Sequence, residues 1–312
     1  MESVDIMERP RRRFSSRDIL ASVVLAILAL TFLASAVSKL SSMDAFRWAL
    51  LDAGVPGDML AAIGARVLVG IELGLGILLL LRISLRRIAF PLALALLGIF
   101  SAYLVVMIVR QGNAGDCGCF GKWLPMKPLP ALLKNVALAV GLVAVRGMHV
   151  REWRVHRSLA TLFMLGAIGT TFFVSPLNTG KETVNLAPIY SQKPAPPAGI
   201  ADVRKGKHVV AFMSLGCPHC REAAKIFHVF LQQNPKLPVV LVLNGLEEDA
   251  GDFFHETKAR NVPHLFVPDV DSFVKMSGQY VPSIYYLNGG IIERRVSYRT
   301  MTRTSIEAWA GR

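Results

Sequence analysis

The chain is predicted to be a multi-domain protein in which an α-helical membrane bundle, four helices plus a fifth linking span, precedes a soluble α/β domain. Three observations predict this. The first 177 of 312 residues hold five long apolar stretches. The composition turns polar and proline-rich between 178 and 206. The remainder alternates short β-branched runs with amphipathic ones. Hydrophobic residues make up 53% of the chain and mean hydropathy is +0.44, both high for a soluble globular protein.

The first element is a basic tail, 1–17, with Arg9, Arg11, Arg12, Arg13 and Arg17. Five apolar stretches follow, at 19–37, 59–81, 88–109, 129–145 and 159–177. Each has about the length that crosses a hydrocarbon core of ~30 Å at ~1.5 Å per residue. Ala34-Ser35-Ala36 resembles a signal-peptide cleavage site, but the apolar stretch before it is too long and four more follow. A retained anchor is expected.

Arginines set the expected orientation. Arg82, Arg86 and Arg87 separate stretches two and three, and Arg146, Arg151, Arg154 and Arg157 separate four and five. The alternate loops hold only Lys39, Arg47, Arg110, Lys122 and Lys127. The amino terminus is therefore expected in the cytoplasm of a multi-pass inner-membrane protein. The loop with Cys117 and Cys119, and everything after stretch five, then lie in an extracytoplasmic compartment where disulfides persist.

The net charge of +13 follows this topology. Residues 1–176 carry 19 basic and 10 acidic side chains, and 177–312 carry 16 and 12. No basic stripe is left for nucleic acid.

Charges inside the stretches are costly in lipid and are expected to face the bundle interior. Arg66, Glu72 and Lys134 are the cases. Arg66 and Glu72 stand six residues apart, at ~240° around a helix, so they are not expected to pair with each other. They are candidates either for binding a quinone headgroup or moving protons, or for holding helices together.

Residues 178–206 read as a semi-rigid linker built on Lys193-Pro194-Ala195-Pro196-Pro197. Beyond it, a strand is expected at 207–213 and a helix from near Cys217 to near Asn234. A strand at 239–243 and a helical stretch at 249–260 come next. A hairpin at 283–287 and 291–296 turns on Asn288-Gly289-Gly290, and a helix at 302–310 closes the chain.

All four cysteines fall into two close pairs. Cys217-Pro218-His219-Cys220 follows a buried-type strand and opens a helix. A helix N-terminus favours the thiolate that attacks disulfides, and His219 adds positive charge or a hydrogen bond. Cys217 is the expected exposed nucleophile, and Cys220, one turn in, the buried resolving thiol. The competing readings are a structural disulfide and a zinc half-site, for which His208 and His228 are the nearest further ligands. Cys117-Gly118-Cys119 would close a small strained ring that exchanges easily. A soft-metal site is its alternative.

The Cys-Pro-His-Cys motif after a strand, with Val281-Pro282 about sixty residues later before another strand, resembles the thioredoxin superfamily, with an intervening dipeptide similar to that of DsbA- or TlpA-type proteins. The resemblance covers 207–312 and implies that Pro282 is cis and faces the cysteines. It also implies an acidic residue six positions before the first cysteine, where this chain has Ala211.

The membrane half has a resemblance of its own. Ser38-Lys39, Glu72 in Ile71-Glu72-Leu73-Gly74, and Asp116-Cys117-Gly118-Cys119-Phe120-Gly121 are similar to the MauE branch of DoxX-like membrane proteins over 18–146. Residues 147–177 then form a cytoplasmic loop and the fifth span. That resemblance implies maturation of exported, disulfide-rich proteins of methylamine use. The layout is also similar in architecture to bacterial vitamin K epoxide reductase homologues. Those carry cysteines between spans one and two, where this chain has none.

Together these readings lead to a membrane-bound thiol-disulfide oxidoreductase acting on exported thiol-containing clients. Cys217, Cys220, His219, Pro282, Cys117 and Cys119 carry the chemistry. No bound cofactor or metal is expected, and a quinone is the candidate electron carrier. The alternative is a copper-binding assembly factor for an exported enzyme.

Overall fold

The computed structural model describes residues 16–113, 126–148, 150, 152, 157–177, 182–191, 200–278 and 280–311. Cys117 and Cys119, with the rest of 114–125, lie outside the described residues, as does the proline-rich run 192–199.

The membrane half is helical: α1 Ser16–Leu40, α2 Met43–Asp52, α3 Asp58–Leu80, α4 Phe90–Gln111, α5 Pro128–Arg146 and α6 Arg157–Val174. Among the described residues four helices are long and apolar enough to cross a membrane: α1, α3, α5 and the segment Leu85–Val109 that ends in α4. The fifth expected span is α6, which is shorter, with 18 residues covering ~27 Å. It ends at Val174 because Pro176 follows and cannot continue the helix.

The bundle packs on small residues. α3 lies against α1 and α6, and α5 lies against α4 and α1. A Cβ placed on Gly70 would come within 2.5 Å of the Ile168 Cα on α6, and one on Gly74 would come within 2.5 Å of the Met164 Sδ. Gly76 does the same service toward Leu33 of α1. Where lipid provides no hydrophobic drive between helices, such close backbone approach supplies the van der Waals contact.

Helix α2 was not anticipated. It fills part of the loop expected between spans one and two and lies across the end of the bundle. Consecutive helices alternate in direction, so the C-terminal ends of α4 and α6 and the N-terminal end of α5 come to this same end.

The soluble half follows the element order expected from the sequence. After the short α7 (Ala187–Ser191) come β1 Lys207–Ser214, α8 Pro218–Gln233, β2 Val239–Asn244 and α9 Gly251–Thr257. Then follow β3 His264–Phe266, α10 Val270–Ser277, β4 Ser283–Asn288, β5 Ile291–Arg295 and α11 Arg303–Ala310. The five strands lie in the order β3-β2-β1-β4-β5. β1 is parallel to β2, with Ala211 beside Leu241, and antiparallel to β4, with Ala211 beside Ile284. This is a thioredoxin-like domain. The helical stretch expected at 249–260 is interrupted by Lys258 at φ 58, and β3 and α10 were not foreseen.

Alternation along β1 divides two cores. Val209, Ala211 and Met213 face α8 and α11, among Cys220, Phe227 and Trp309. Val210 and Phe212 face the other way, toward Phe273, Met276 and Tyr285. That second core is completed from the membrane half by Trp48, Leu51 and Ala61.

Part of the expected linker is also built into the sheet. Thr183 bridges Ile291, Val184 N–H donates to the Gly290 carbonyl (2.9 Å), and Ile189 is buried. Its residues supply the backbone partner that the β5 edge otherwise lacks, so 182–191 are docked structure and not a spacer.

Candidate dithiol site and the interface beneath it

Cys217 caps the N-terminus of α8 with extended backbone (φ −85°, ψ 120°), and Pro218 occupies the first turn. Proline is pre-set for that position and gives up an N–H that would have no partner there. The cap places the Cys217 sulfur at the mouth of the helix, half-buried, while Cys220 turns inward and is fully buried. Cys220 Sγ accepts from the Ser214 amide at 3.4 Å. Cys217 Sγ reaches the Val281 carbonyl at 3.9 Å, and the Val281-Pro282 bond is cis. The chain thus brings the Val281 carbonyl, in the peptide bond just before β4, to Cys217 from 64 residues away.

These surroundings separate the two thiols. Cys217 is brought down to about 7, first because the Cys220 thiol donates to it. Burial opposes the shift, and the Cys220 and His219 amides at the helix mouth assist it. Burial and the neighbouring Cys217 push Cys220 far up. Near neutral pH the Cys217 thiol and thiolate are both populated, while Cys220 keeps its proton.

His219 faces Tyr298, with Nδ1 3.3 Å from the hydroxyl, and that hydroxyl donates to Glu222 at 3.0 Å. The imidazole is held beside the cysteines in a small polar cluster. Ala211 is buried on the same side of the sheet as Cys220. No carboxylate stands at that position under the dithiol.

A carboxylate does approach from the membrane half. Asp52, at the end of α2, accepts from the Tyr280 hydroxyl. Burial raises its pKa, against the opposing effects of the Ser297 and Tyr280 hydroxyls and the charges of Arg299 and His219. Trp48, one turn earlier, stacks on Tyr280 with centroids 6.1 Å apart and planes 3° apart. A charged network surrounds this contact: Arg47 forks onto Asp58 and Arg295 pairs with Glu182. Arg295 also lies 3.4 Å from Asp58.

Sequence reasoning missed Trp48, Asp52 and Tyr280. A signal was available: Trp48 and Asp52 share one helix face at i, i+4, and Tyr280 stands two residues before Pro282.

The two charged candidates in α3 part company. Arg66 donates to the Ala62, Ser175 and Pro176 carbonyls at 2.7, 2.6 and 2.9 Å, which clips the end of α6 to α3. Those contacts fit helix fastening. Glu72 is buried elsewhere and accepts from Lys39 Nζ at 2.5 Å and from Ser35 Oγ at 3.2 Å. Lys134 lines the same interior cavity as Glu72, while Arg66 does not.

Among the described residues no group of three or more His, Cys, Asp or Glu is placed to hold a metal ion. Of the suggested zinc ligands, His228 contacts Asn261 at 2.6 Å.

The membrane half matches a known family. The family described as "Methylamine utilisation protein MauE" matches residues 17–147. Methylamine utilization protein MauE of Paracoccus denitrificans is 30% identical over 153 residues, 47% of this chain and 80% of that protein. Protein TlpB of Flavobacterium psychrophilum is 29% identical over 285 residues, 75% of this chain and 77% of that protein. Two solved structures overlap the soluble half. The thioredoxin domain of a thiol-disulfide oxidoreductase from Bacteroides vulgatus gives a TM-score of 0.29 at 16% identity, covering 35% of this chain and 82% of that one. A secreted Mycobacterium tuberculosis disulfide oxidoreductase gives 0.28 at 15% identity, covering 34% of this chain and 81% of that one.

Proposed function

The chain belongs to the MauE family, and we propose that it is a membrane-bound thiol-disulfide oxidoreductase working on the extracytoplasmic side of the inner membrane. A single observation carries this reading. Cys217 sits at a helix mouth with a thiolate-favouring environment, Cys220 is buried one turn behind it, and the cis Val281-Pro282 carbonyl lies against the outer sulfur.

The chemistry is two successive exchanges. When Cys217–Cys220 is a disulfide, a client thiolate attacks Cys217 Sγ. That forms a mixed disulfide and releases Cys220, which takes a proton. A second client thiolate then attacks the client sulfur of the mixed bond, leaving the client oxidised and Cys217 as thiolate. The low Cys217 pKa makes that sulfur a good leaving group. The same steps run backwards to reduce a client. Exported thiol proteins, including those of methylamine use suggested by the family, are the client class.

Cys117 and Cys119 exchange with the soluble pair in this proposal. Support comes from placement: Tyr103 of α4 and Lys134 of α5, in the two helices that flank their loop, line one cavity with Phe46 and Leu50 of α2, onto which the dithiol domain docks.

The test is a trap. Cys220→Ser leaves a mixed disulfide on Cys217 unresolved, and an internal crosslink to Cys117 or Cys119 is expected under oxidising conditions. It should vanish when both membrane cysteines are changed to serine. No crosslink in the trapped protein would leave two independent sites and end the relay.

A further inference from the structure

An interior cavity of about 170 Å³ lies within the bundle under α2, more than ten times the ~10–15 Å³ that one water needs. Its wall is almost wholly apolar, with polar groups from Ser35, Lys39, Glu72, Tyr103, Lys134 and Asn135. Exposed Ile99 belongs to the same wall, so the space reaches the lipid-facing surface of the bundle.

The polar groups are held in a fixed arrangement. Lys39 donates to Glu72 at 2.5 Å and to Ser35 at 2.9 Å, and Ser35 donates on to the second Glu72 oxygen at 3.2 Å. The ammonium lies 5.1 Å from the Phe46 ring and 4.9 Å from the Phe100 ring, a favourable geometry for a desolvated cation. The Lys39 and Glu72 charges offset each other, so neither of these two groups calls for a counter-ion from an occupant.

One group points to an occupant. Asn135 is 4% exposed, and its Nδ2 has no hydrogen-bond partner among the described residues. A buried amide N–H2 without an acceptor costs stability, and this one belongs to a side chain that lines the cavity. It calls for an occupant that brings a hydrogen-bond acceptor on a largely apolar body.

We propose that this cavity binds a membrane quinone, its ring near Phe46 and Phe100 and a carbonyl oxygen accepting from Asn135. This rests on the dithiol reading above and gives it an electron acceptor. The helices that wall the site, α4 with Phe100 and Tyr103 and α5 with Lys134 and Asn135, are joined by the segment that carries Cys117 and Cys119. The reaction balances as one quinone and two thiols giving one quinol and one disulfide. Two S–H bonds break and one S–S bond forms, while two electrons and two protons end as two O–H bonds on the quinone oxygens.

The test uses the full chain in lipid nanodiscs titrated with ubiquinone-1, followed by quenching of tryptophan fluorescence. Wild type should saturate. Asn135→Leu, which removes the donor, should weaken binding at least five-fold, and Leu138→Trp, which fills the cavity, should abolish saturation. Thermal unfolding checks that each variant is folded, and Asn135→Leu carries the test if Leu138→Trp is not. Binding that never saturates, or that is unchanged in the folded variants, means partition into lipid and overturns the site. Exchange of the wild-type soluble pair with glutathione disulfide is measured on the same sample. Active exchange without saturable quinone binding ends this inference alone. Absent exchange ends the dithiol reading, while saturable binding still upholds the cavity as a quinone site.

Discussion

Tyr280, two residues before Pro282, donates its hydroxyl to the Asp52 carboxylate on α2. Because Val281 also presents its carbonyl to Cys217, the loop that shapes the dithiol is itself held by the membrane half. Tyr280→Phe removes a hydrogen bond to a charged group, worth ~1.5–3 kcal/mol. Hydrogen exchange of the α2 amides in the full chain should accelerate roughly ten-fold or more. Unchanged protection would mean that the two halves are not docked by this contact.

Trp48 should matter more, since it closes a core shared between domains. Truncating it to alanine removes a buried ring and leaves a void, at ~3–5 kcal/mol. The domains should then come apart while each keeps its fold. Separate thermal transitions of the two halves, against one coupled transition in wild type, are the readout.

The pH dependence of Cys217 follows from its depressed pKa. The thiolate is present above about 7 and is lost as pH falls through that value, whereas a free cysteine titrates at ~8.5. Alkylation by iodoacetamide should therefore reach half its maximal rate near pH 7. Cys220→Ala removes the thiol that donates to Cys217 and should move the midpoint upward. A wild-type midpoint at the free-cysteine value would contradict the geometry.

The Lys39–Glu72 pair is buried on both sides, at 2% exposure each. Removing one partner strands a charge in the bundle, costing ~3–5 kcal/mol. Lys39→Met and Glu72→Leu should each lower the unfolding midpoint sharply in detergent, and the double variant should recover part of that loss. Additive losses would show that the two charges are not coupled.

Glycine contacts separate packing from propensity. Gly70→Ala forces a Cβ into the Ile168 backbone and should destabilise the α3–α6 contact by ~1–3 kcal/mol. Gly98→Ala meets nothing within 4 Å and should be neutral or stabilising by up to ~1 kcal/mol. Reversal of that order in detergent melts would disprove the packing of α6 on α3.

Local pattern was enough for much of the molecule. Uninterrupted apolar length announces a membrane helix because lipid offers backbone groups no partner. A β-branched run before Cys-Pro-His-Cys announces a strand feeding a helix mouth. Those signals located α1, α3, α4, α5, β1, α8 and the β4–β5 hairpin, and they marked Cys217 and Cys220. They failed at α2 and β3, which are too short for periodicity to distinguish from loop. They failed too at 182–191, whose role is to pair with an edge strand far away in sequence.

The sequence by itself determined the membrane bundle, the thioredoxin-like domain and the two cysteine pairs. Each is written in hydropathy, period or spacing over a few residues. Tertiary structure alone decided that Lys39 answers Glu72, that Arg66 fastens α6, that Asn135 faces a cavity and that Asp52 reaches the loop beside Cys217. These are contacts between residues 33 to 228 positions apart. Which partner satisfies a buried charge or amide depends on where the packed helices bring it, and no local pattern records that.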